Sequence, residues 1–183
     1  MEFSDGLLVK ESMDGSVAAF EQLVARYEKL VYKIAFGCCG NRENALDIVQ
    51  NVFLKVHRKL ADFRTEGDFR NWIARIAVNE SIDWKRASKR RRTVELDEAI
   101  NLALPPSQEV RVRDRETWEM LNLAMQTLKP QYRAAVALRY FEGMSIREIA
   151  GALSCSDGTV KSILFRSLKQ MRDHIGVSKG TIA

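Results

Sequence analysis

Apolar residues that recur every three or four positions constrain the fold of this chain more than any other feature. One such stripe runs from Val17 to Ile34 and a second from Ile48 to Leu60. A third begins at Phe69, and helical patterning returns after Trp118. This spacing places side chains on one face of an α-helix, and no stretch shows convincing strand-like alternation. The sequence therefore predicts an all-α fold.

A stretch of different composition divides the chain into two parts. Residues 93–110 hold four acidic residues and no basic one, and a proline pair at 105–106 opposes helix formation. We therefore predict two small helical domains over residues 1–92 and 117–183. A flexible acidic linker over residues 93–116 is predicted to join them.

Single glycine and proline residues indicate where individual helices begin and end. Gly37 and Gly40 are predicted to interrupt the chain after the first amphipathic stripe. Pro130 suits the first turn of a later helix, because its missing N–H needs no partner there. Gly143 is predicted to end that helix.

Composition narrows the function classes. The chain of 183 residues carries a formal net charge of +5, which favours a polyanionic partner. The apolar runs are much shorter than the roughly 18 residues of a membrane span, and no basic-then-apolar leader opens the sequence. Three cysteines and two histidines show no metal-ligand spacing. We expect a cytoplasmic protein with no membrane insertion, no metal and no cofactor.

Residues 145–166 have the pattern of a helix-turn-helix. Ser145 and Glu148 form a capping box that begins one helix, and Ser156 can cap a second helix after a short break. An apolar inner face on the second helix leaves Lys161 and Arg166 on its outer side. Helices of this kind enter the major groove of DNA. The outer residues Lys161, Ser162, Phe165 and Arg166 are the candidates for base and phosphate contacts.

A basic tract closes the first half of the chain. Residues 85–92 contain six basic positions in the sequence KRASKRRR, and they extend a helix that exposes Asn79 and Asp83. Trp72 and Trp84 lie nearby, although Trp72 falls on the apolar stripe and is predicted to be core. Basic tracks beside aromatic rings are typical of single-strand binding. Each half of the chain thus has a candidate nucleic-acid surface.

Four segments in order resemble a bacterial sigma factor of the extracytoplasmic-function (ECF) group of the sigma-70 family. GSVAAFEQLVARYEKLVYKIA resembles the start of its first helical domain, and ENALDIVQNVFLKVHRKL its polymerase-binding helix. FRTEGDFRNWIARIAVNESIDWKRASKRRR resembles its −10 region. LKPQYRAAVALRYFEGMSIREIAGALSCSDGTVKSILFRSLKQMR resembles its −35 domain.

The resemblance implies partners and residue roles. It implies binding to core RNA polymerase, at the β′ clamp and β flap, binding to promoter DNA, and control by an anti-sigma factor. The residues that it assigns to the polymerase are Asp47, Gln50 and Asn51. Those assigned to the −10 element are Phe63, Arg64, Asn79, Asp83, Trp84, Arg86 and Arg90, with the loop around 63–68 holding a flipped base. Those assigned to the −35 element are Ser156, Thr159, Lys161, Ser162, Phe165 and Arg166.

Two other classes of function compete with the sigma-factor interpretation. A conventional helix-turn-helix regulator would bind duplex DNA alone and with strong salt dependence, in most cases as a dimer. An enzyme acting on nucleic acid would need clustered carboxylates, a glycine-rich phosphate loop or a nucleophile with its base, and the sequence shows none of these. We therefore predict a promoter-specificity subunit that is not an enzyme.

Overall fold

Helices account for most of the residues that a computed structural model of this chain describes. The structure describes residues 3–63, 67–92 and 112–176, with the side chains of 89–92 and 112–119 outside that description. The first half contains α1 (Asp5–Met13), α2 (Val17–Cys39), α3 (Arg42–Lys59), a 3₁₀ turn (Leu60–Asp62) and α4 (Phe69–Arg92). The second half contains α5 (Val112–Thr127), α6 (Pro130–Val136), a π-helical turn (Ala137–Phe141), α7 (Ile146–Leu153) and α8 (Asp157–Ile175). The all-α prediction is confirmed for these residues.

Helices α2, α3 and α4 pack together, and α1 lies against α2. Polar residues begin each of the three long helices by accepting from a backbone N–H of the first turn. Ser16 caps α2, Asn41 caps α3, and the Asp68 carboxylate accepts from the N–H of Asn71 in α4. Gly40 ends α2 with a φ of 71°, a left-handed conformation that glycine adopts without strain.

An aromatic cluster anchors the start of α4. Phe69 is fully buried, and its ring lies 5.3 Å from that of Phe63 and 5.2 Å from that of Tyr27. Trp72 completes the cluster, 5.2 Å from Phe63, and is half-buried. Edge-on and tilted ring pairs add to the free energy gained by burial. The cluster fixes the direction in which α4 leaves the core.

The two halves of the chain pack against each other. Helices α2 and α4 contact α6, and α4 contacts α7. The approach is closest at Gly37, where an added Cβ would lie 2.9 Å from the Cβ of Ala137. Gly37 lies inside α2, which continues to Cys39, so the predicted interruption at Gly37 is wrong. Glycine is used here for close packing between the halves, and the helix ends at Gly40 as predicted.

Charged side chains cross the same interface. The carboxylate of Glu142 lies 2.8 Å from Lys33 Nζ and 3.5 Å from a guanidinium nitrogen of Arg70. Arg133 is buried and donates to the backbone carbonyl of Cys38. Contacts from the second half therefore end on α2 and α4 of the first.

Helix α5 is the first described element of the second half. It starts at Val112, and the predicted boundary of the linker at residue 116 stays a prediction. Pro130 occupies the first position of α6, and Gly143 has a φ of 64° just after the π-helical turn, as predicted. In the described part of the chain, no helix is long and apolar enough to cross a bilayer. The remainder of the predicted linker, residues 93–111, lies outside the described residues.

Candidate nucleic-acid and polymerase interfaces

Helix α8 presents a polar and basic face on the side opposite its packing with the other helices of the second half. Val160, Ile163 and Leu164 are buried on its inner side. Phe165 points away from that inner side and is 72% exposed. The predicted −35 residues are all exposed on this helix or at its cap, namely Ser156, Thr159, Lys161, Ser162, Phe165 and Arg166.

Local hydrogen bonds fix the turn that orients α8. The capping box of α7 is complete, because the N–H of Ser145 donates to Glu148 at 2.7 Å and the Glu148 N–H donates back at 3.3 Å. The hydrogen bonds that the Ser145 side chain and backbone make to the Glu148 carboxylate are the main reason that the pKa of this group lies below its usual value. Ser156 then accepts from the N–H of Thr159 and shares a 2.9 Å hydrogen bond with its hydroxyl.

The break between α7 and α8 is a Schellman turn. The Cys155 N–H donates to the Ala150 carbonyl at 3.0 Å, and the Ser154 N–H donates to that of Gly151. Ser154 has a φ of 53°, a left-handed conformation in which glycine is usual. Ala150 is nearly buried where the two helices cross, as the sequence indicates. The predicted helix-turn-helix is therefore present.

Helix α4 carries most of the predicted −10 residues. Asn79, Asp83 and Arg86 are exposed, and they recur at spacings of four and three along one side of the helix. An oxygen of Asp83 lies 3.6 Å from a guanidinium nitrogen of Arg86. Trp84 is half-buried and packs against the core, so its ring is not a fully open platform for a base.

Phe63 does not belong to this exposed face. Its side chain is only 7% exposed, because its ring packs in the cluster with Phe69 and Trp72. Phe63 therefore holds the start of α4 in this structure, and its predicted contact with −10 DNA stays a prediction. Arg64 and the side chain of Arg90 lie outside the described residues, so their predicted roles stay predictions.

A cleft separates the −10 face from the second half. Its volume is about 730 Å³. The first half contributes five of the polar lining residues, Lys55, Lys59, Asn79, Asp83 and Arg86, and the second half contributes Lys129, Pro130, Gln131 and Leu153. Lys55 pairs with Glu80 across α3 and α4. The cleft is therefore lined by several basic side chains, and residues of α6 and the end of α7 form its other side.

Helix α3 has a mixed exposed face. Asp47, Gln50 and Asn51 are exposed, as a partner surface requires. Leu46 and Leu54 lie on the same side of the helix and are 48% and 49% exposed. Sequence reasoning missed these two leucines, although their spacing from Gln50 by one helical turn in each direction was a readable signal.

The cysteines of the first half are enclosed. Burial raises the pKa of Cys38 to about 12 and that of Cys39 to about 11, so both are neutral thiols at ordinary pH. The Sγ of Cys38 lies 4.0 Å from the carbonyl of Pro130, in the second half. Among the described residues, no group of His, Cys, Asp and Glu side chains is arranged to hold a metal ion. His57 is exposed and meets the ring edge of Phe20.

Comparisons with known proteins agree with this architecture. A family model described as Sigma-70 region 2 matches residues 23–91, and one described as Sigma-70, region 4 matches residues 118–171. The sigma factor RpoE of Bartonella quintana, solved in complex with the anti-sigma factor NepR, superposes with a TM-score of 0.71. That superposition covers 89% of this chain and 100% of the other, at 22% identity, and it supports the fold alone.

Two characterised relatives are closer in sequence. The ECF RNA polymerase sigma factor SigE of Mycolicibacterium smegmatis is 32% identical over 87% of this chain, which spans 63% of that relative's length. The ECF RNA polymerase sigma-E factor of Escherichia coli K12 is 31% identical, and the match covers 91% of each chain. With the region 2 and region 4 matches in the observed order, this chain belongs to the ECF group of the sigma-70 family of RNA polymerase sigma factors.

Proposed function

We propose that this chain binds core RNA polymerase through α3 and directs it to promoters with two DNA-reading faces, one on α8 and one on α4. The observation that carries the proposal is the separate exposure of three polar faces on one small chain. The family models assign region 2 to residues 23–91 and region 4 to residues 118–171. These regions fall within the proposed domains, residues 1–92 and 117–183.

The face on α8 suits duplex DNA. Lys161 lies one helical turn before Phe165, and Ser162 lies one turn before Arg166; all four side chains are exposed. Base edges and phosphates are therefore both within reach of one docked helix. Phe165 offers an apolar surface to a thymine methyl group. We assign this face to the −35 element.

The face on α4 suits a separated strand. The exposed amide of Asn79 can pair with a base edge, and Arg86 can neutralise the backbone. Extruding a base from a duplex costs a few kcal/mol, which contacts of this kind must offset. We assign this face to the −10 element, with Asp83 and Trp84 beside it and Arg64 and Arg90 as further candidates.

The face on α3 suits a protein partner. Two exposed leucines beside Asp47, Gln50 and Asn51 combine apolar anchors with a polar rim, which is the composition of a protein interface. We assign it to the β′ clamp of the polymerase, and the second half to the β flap. The chain would act in the cytoplasm, as a binding subunit with no chemistry of its own, and an anti-sigma factor would control it.

Run-off transcription tests the proposal. Core polymerase is incubated with a library of candidate promoters, with and without this chain, and transcripts are sequenced. We expect new promoter-dependent transcripts that share −35 and −10 motifs. A transcript pattern that does not change on adding the chain, together with tight operator binding by the chain alone, would favour a conventional regulator instead.

A further inference from the structure

We propose that the cleft between α4 and α6 binds a free nucleotide that carries several phosphate groups. Basic side chains of the cleft hold the phosphates, and an apolar surface with two amide side chains holds the base. The inference goes beyond the proposed function, because this ligand is a small molecule in solution and not promoter DNA.

The charge of the cleft gives the first reason. Of the described residues that line it, one is acidic, Asp83, and five are basic, namely Lys55, Lys59, Lys85, Arg86 and Lys129. A concave surface lined mainly by charges of one sign concentrates the electrostatic potential and raises the local concentration of the opposite charge. A ligand of this cleft is therefore expected to carry several negative charges.

The ion pairs around the cleft leave part of this charge uncompensated. Arg86 lies 3.6 Å from Asp83, but both side chains are largely exposed, and such pairs contribute little. Lys59 and Lys129 are exposed and form no ion pair with any residue that the structure describes. These two ammonium groups line the cleft from different helical segments, one from α3 and one directly before α6. Ammonium groups of this kind are common ligands of phosphate.

The apolar part of the lining gives the second reason. Ile76 and Ile82 of α4 and Leu153 at the end of α7 line the same cleft as the basic side chains. An inorganic polyphosphate gains nothing from apolar surface, whereas a nucleobase can remove the faces of its ring from water there. The combination of basic and apolar lining therefore favours a nucleotide over a simple anion.

Two amide side chains complete the proposed site. Asn79 of α4 and Gln131 of α6 are exposed and line the cleft. Each amide carries both donors and an acceptor, so each can pair with the edge of a base. We assign the base to this pair of residues and the phosphates to Lys59 and Lys129.

The size of the cleft suits a small ligand. Its volume of about 730 Å³ lies within the range of roughly 300–1,000 Å³ that is usual for small-molecule sites. A compact nucleotide can contact residues of α3, α4 and α6 together. A DNA strand that follows the exposed face of α4 has no need of Lys129 or Gln131, and this difference allows the two ligands to be distinguished.

Calorimetric titration of the full chain with ATP tests the proposal. The titration is made without Mg²⁺ and at about 0.15 M salt, where the Debye length is about 8 Å and attraction to distant charges is largely screened. We expect one ATP molecule per chain. Inorganic tripolyphosphate should bind several-fold more weakly than ATP, and adenosine should bind more weakly still.

Variants on both sides of the cleft locate the site. We expect Lys59→Gln and Lys129→Gln each to weaken the affinity for ATP by about fivefold. Lys29→Gln removes an exposed cation from α2, outside the cleft, and should leave the affinity unchanged. Gln131→Ala should weaken the binding of ATP and leave that of tripolyphosphate unchanged, because we assign this amide to the base. Circular dichroism checks that each variant is folded.

A labelled single-stranded oligonucleotide provides the comparison with DNA. Its affinity, measured by fluorescence anisotropy, should be the same for wild type and Lys129→Gln. Equal losses of oligonucleotide and ATP binding in Lys129→Gln would overturn the assignment to a free nucleotide.

Three further outcomes would overturn the inference. These are the absence of ATP binding to wild type, equal losses for Lys29→Gln and both cleft variants, and tripolyphosphate binding as tight as that of ATP. The titrations contain no polymerase, so none of these results bears on the proposed function. A failure of run-off transcription would likewise leave the titrations unaffected.

Discussion

Arg133 donates a hydrogen bond of 2.6 Å to the backbone carbonyl of Cys38, across the boundary between the two halves. The same guanidinium donates twice to the Leu128 carbonyl, at 3.1 and 3.0 Å, just past the end of α5. One cation therefore serves the carboxyl ends of two helices, α2 and α5, where carbonyls lack partners and the helix dipole favours positive charge.

Replacing Arg133 should lower the stability of the folded chain. We expect Arg133→Met to lower the free energy of unfolding by about 3 kcal/mol, because it leaves several buried carbonyls without donors. Urea denaturation followed by circular dichroism measures this change. Arg133→Lys keeps a cation at the helix ends and should recover part of the loss, and a fully stable Arg133→Met would contradict the assignment.

The exposed leucines of α3 should matter for polymerase binding. We expect Leu54→Ser to weaken affinity for core polymerase about tenfold, because truncating an apolar anchor at an interface costs about 1–2 kcal/mol. Asp47→Ala should also weaken it. Fluorescence anisotropy of the labelled chain titrated with core enzyme measures the affinity.

The matched control is Leu7→Ser, which changes a leucine of similar exposure on α1. Its affinity for core polymerase should equal that of wild type. Equal losses for Leu7→Ser and Leu54→Ser would remove the reason for assigning the α3 face to the polymerase.

Substitutions of the basic residues of α8 should distinguish contacts to bases from contacts to phosphates. Loss of a base contact costs about 1–3 kcal/mol and relaxes specificity at one position, whereas loss of a phosphate contact reduces the salt slope by about one. We expect Lys161→Ala and Arg166→Ala to weaken promoter binding by the polymerase holoenzyme, measured on promoter fragments over a salt series. Lys10→Ala on α1 is the control, and an equal effect from it would argue against the α8 face.

Acid should weaken the start of α7. The pKa of Glu148 is lower in the folded chain than in the unfolded one, so its stabilisation is present above the unfolded pKa of about 4.3 and is lost as pH falls through the folded value. Gln at this position keeps a capping acceptor but does not titrate. The stability difference between wild type and Glu148→Gln should therefore shrink between pH 6 and pH 3, as urea titrations can show. A constant difference would mean that the carboxylate charge does not contribute.

Glycine at position 154 should relieve the backbone strain in the turn before α8. Ser154 adopts a left-handed conformation, so we expect Ser154→Gly to raise the free energy of unfolding by about 1 kcal/mol and the Tm by about 2–4 °C. Thermal unfolding monitored by calorimetry measures it. Gly151→Ala lies in the interior of α7 with open space around its Cβ position and provides a comparison that leaves the turn unchanged.

The features read correctly from sequence depend on local rules. Ser145, Glu148 and Ser156 lie within one turn of the groups that they cap, so their roles follow from spacing alone. The exposed face of α8 follows from the apolar period of its inner side. The helix-turn-helix was predictable for that reason.

The features that could not be read from sequence depend on contacts between distant segments. Phe63 lies at the edge of a predicted loop, and no local pattern indicated that Phe69 and Trp72 bring it into the core. Gly37 looked like a helix break, whereas its missing side chain admits Ala137 from 100 positions further along. No single-sequence pattern reports such pairs, because neither partner indicates the other.

Helix α4 is continuous from Phe69 to Arg92, and its 24 residues at 1.5 Å each give it a length of about 36 Å. Its amino end is held by the aromatic cluster, while Asn79 and Arg86 lie one-half to three-quarters of the way along. A tilt of a few degrees at Phe69 therefore moves Arg86 by an ångström or more. Ring packing in the core thus sets the position of side chains that do not contact the rings. Substitutions at Phe63 or Trp72 should shift the exposed side chains of α4 as well as lower the stability.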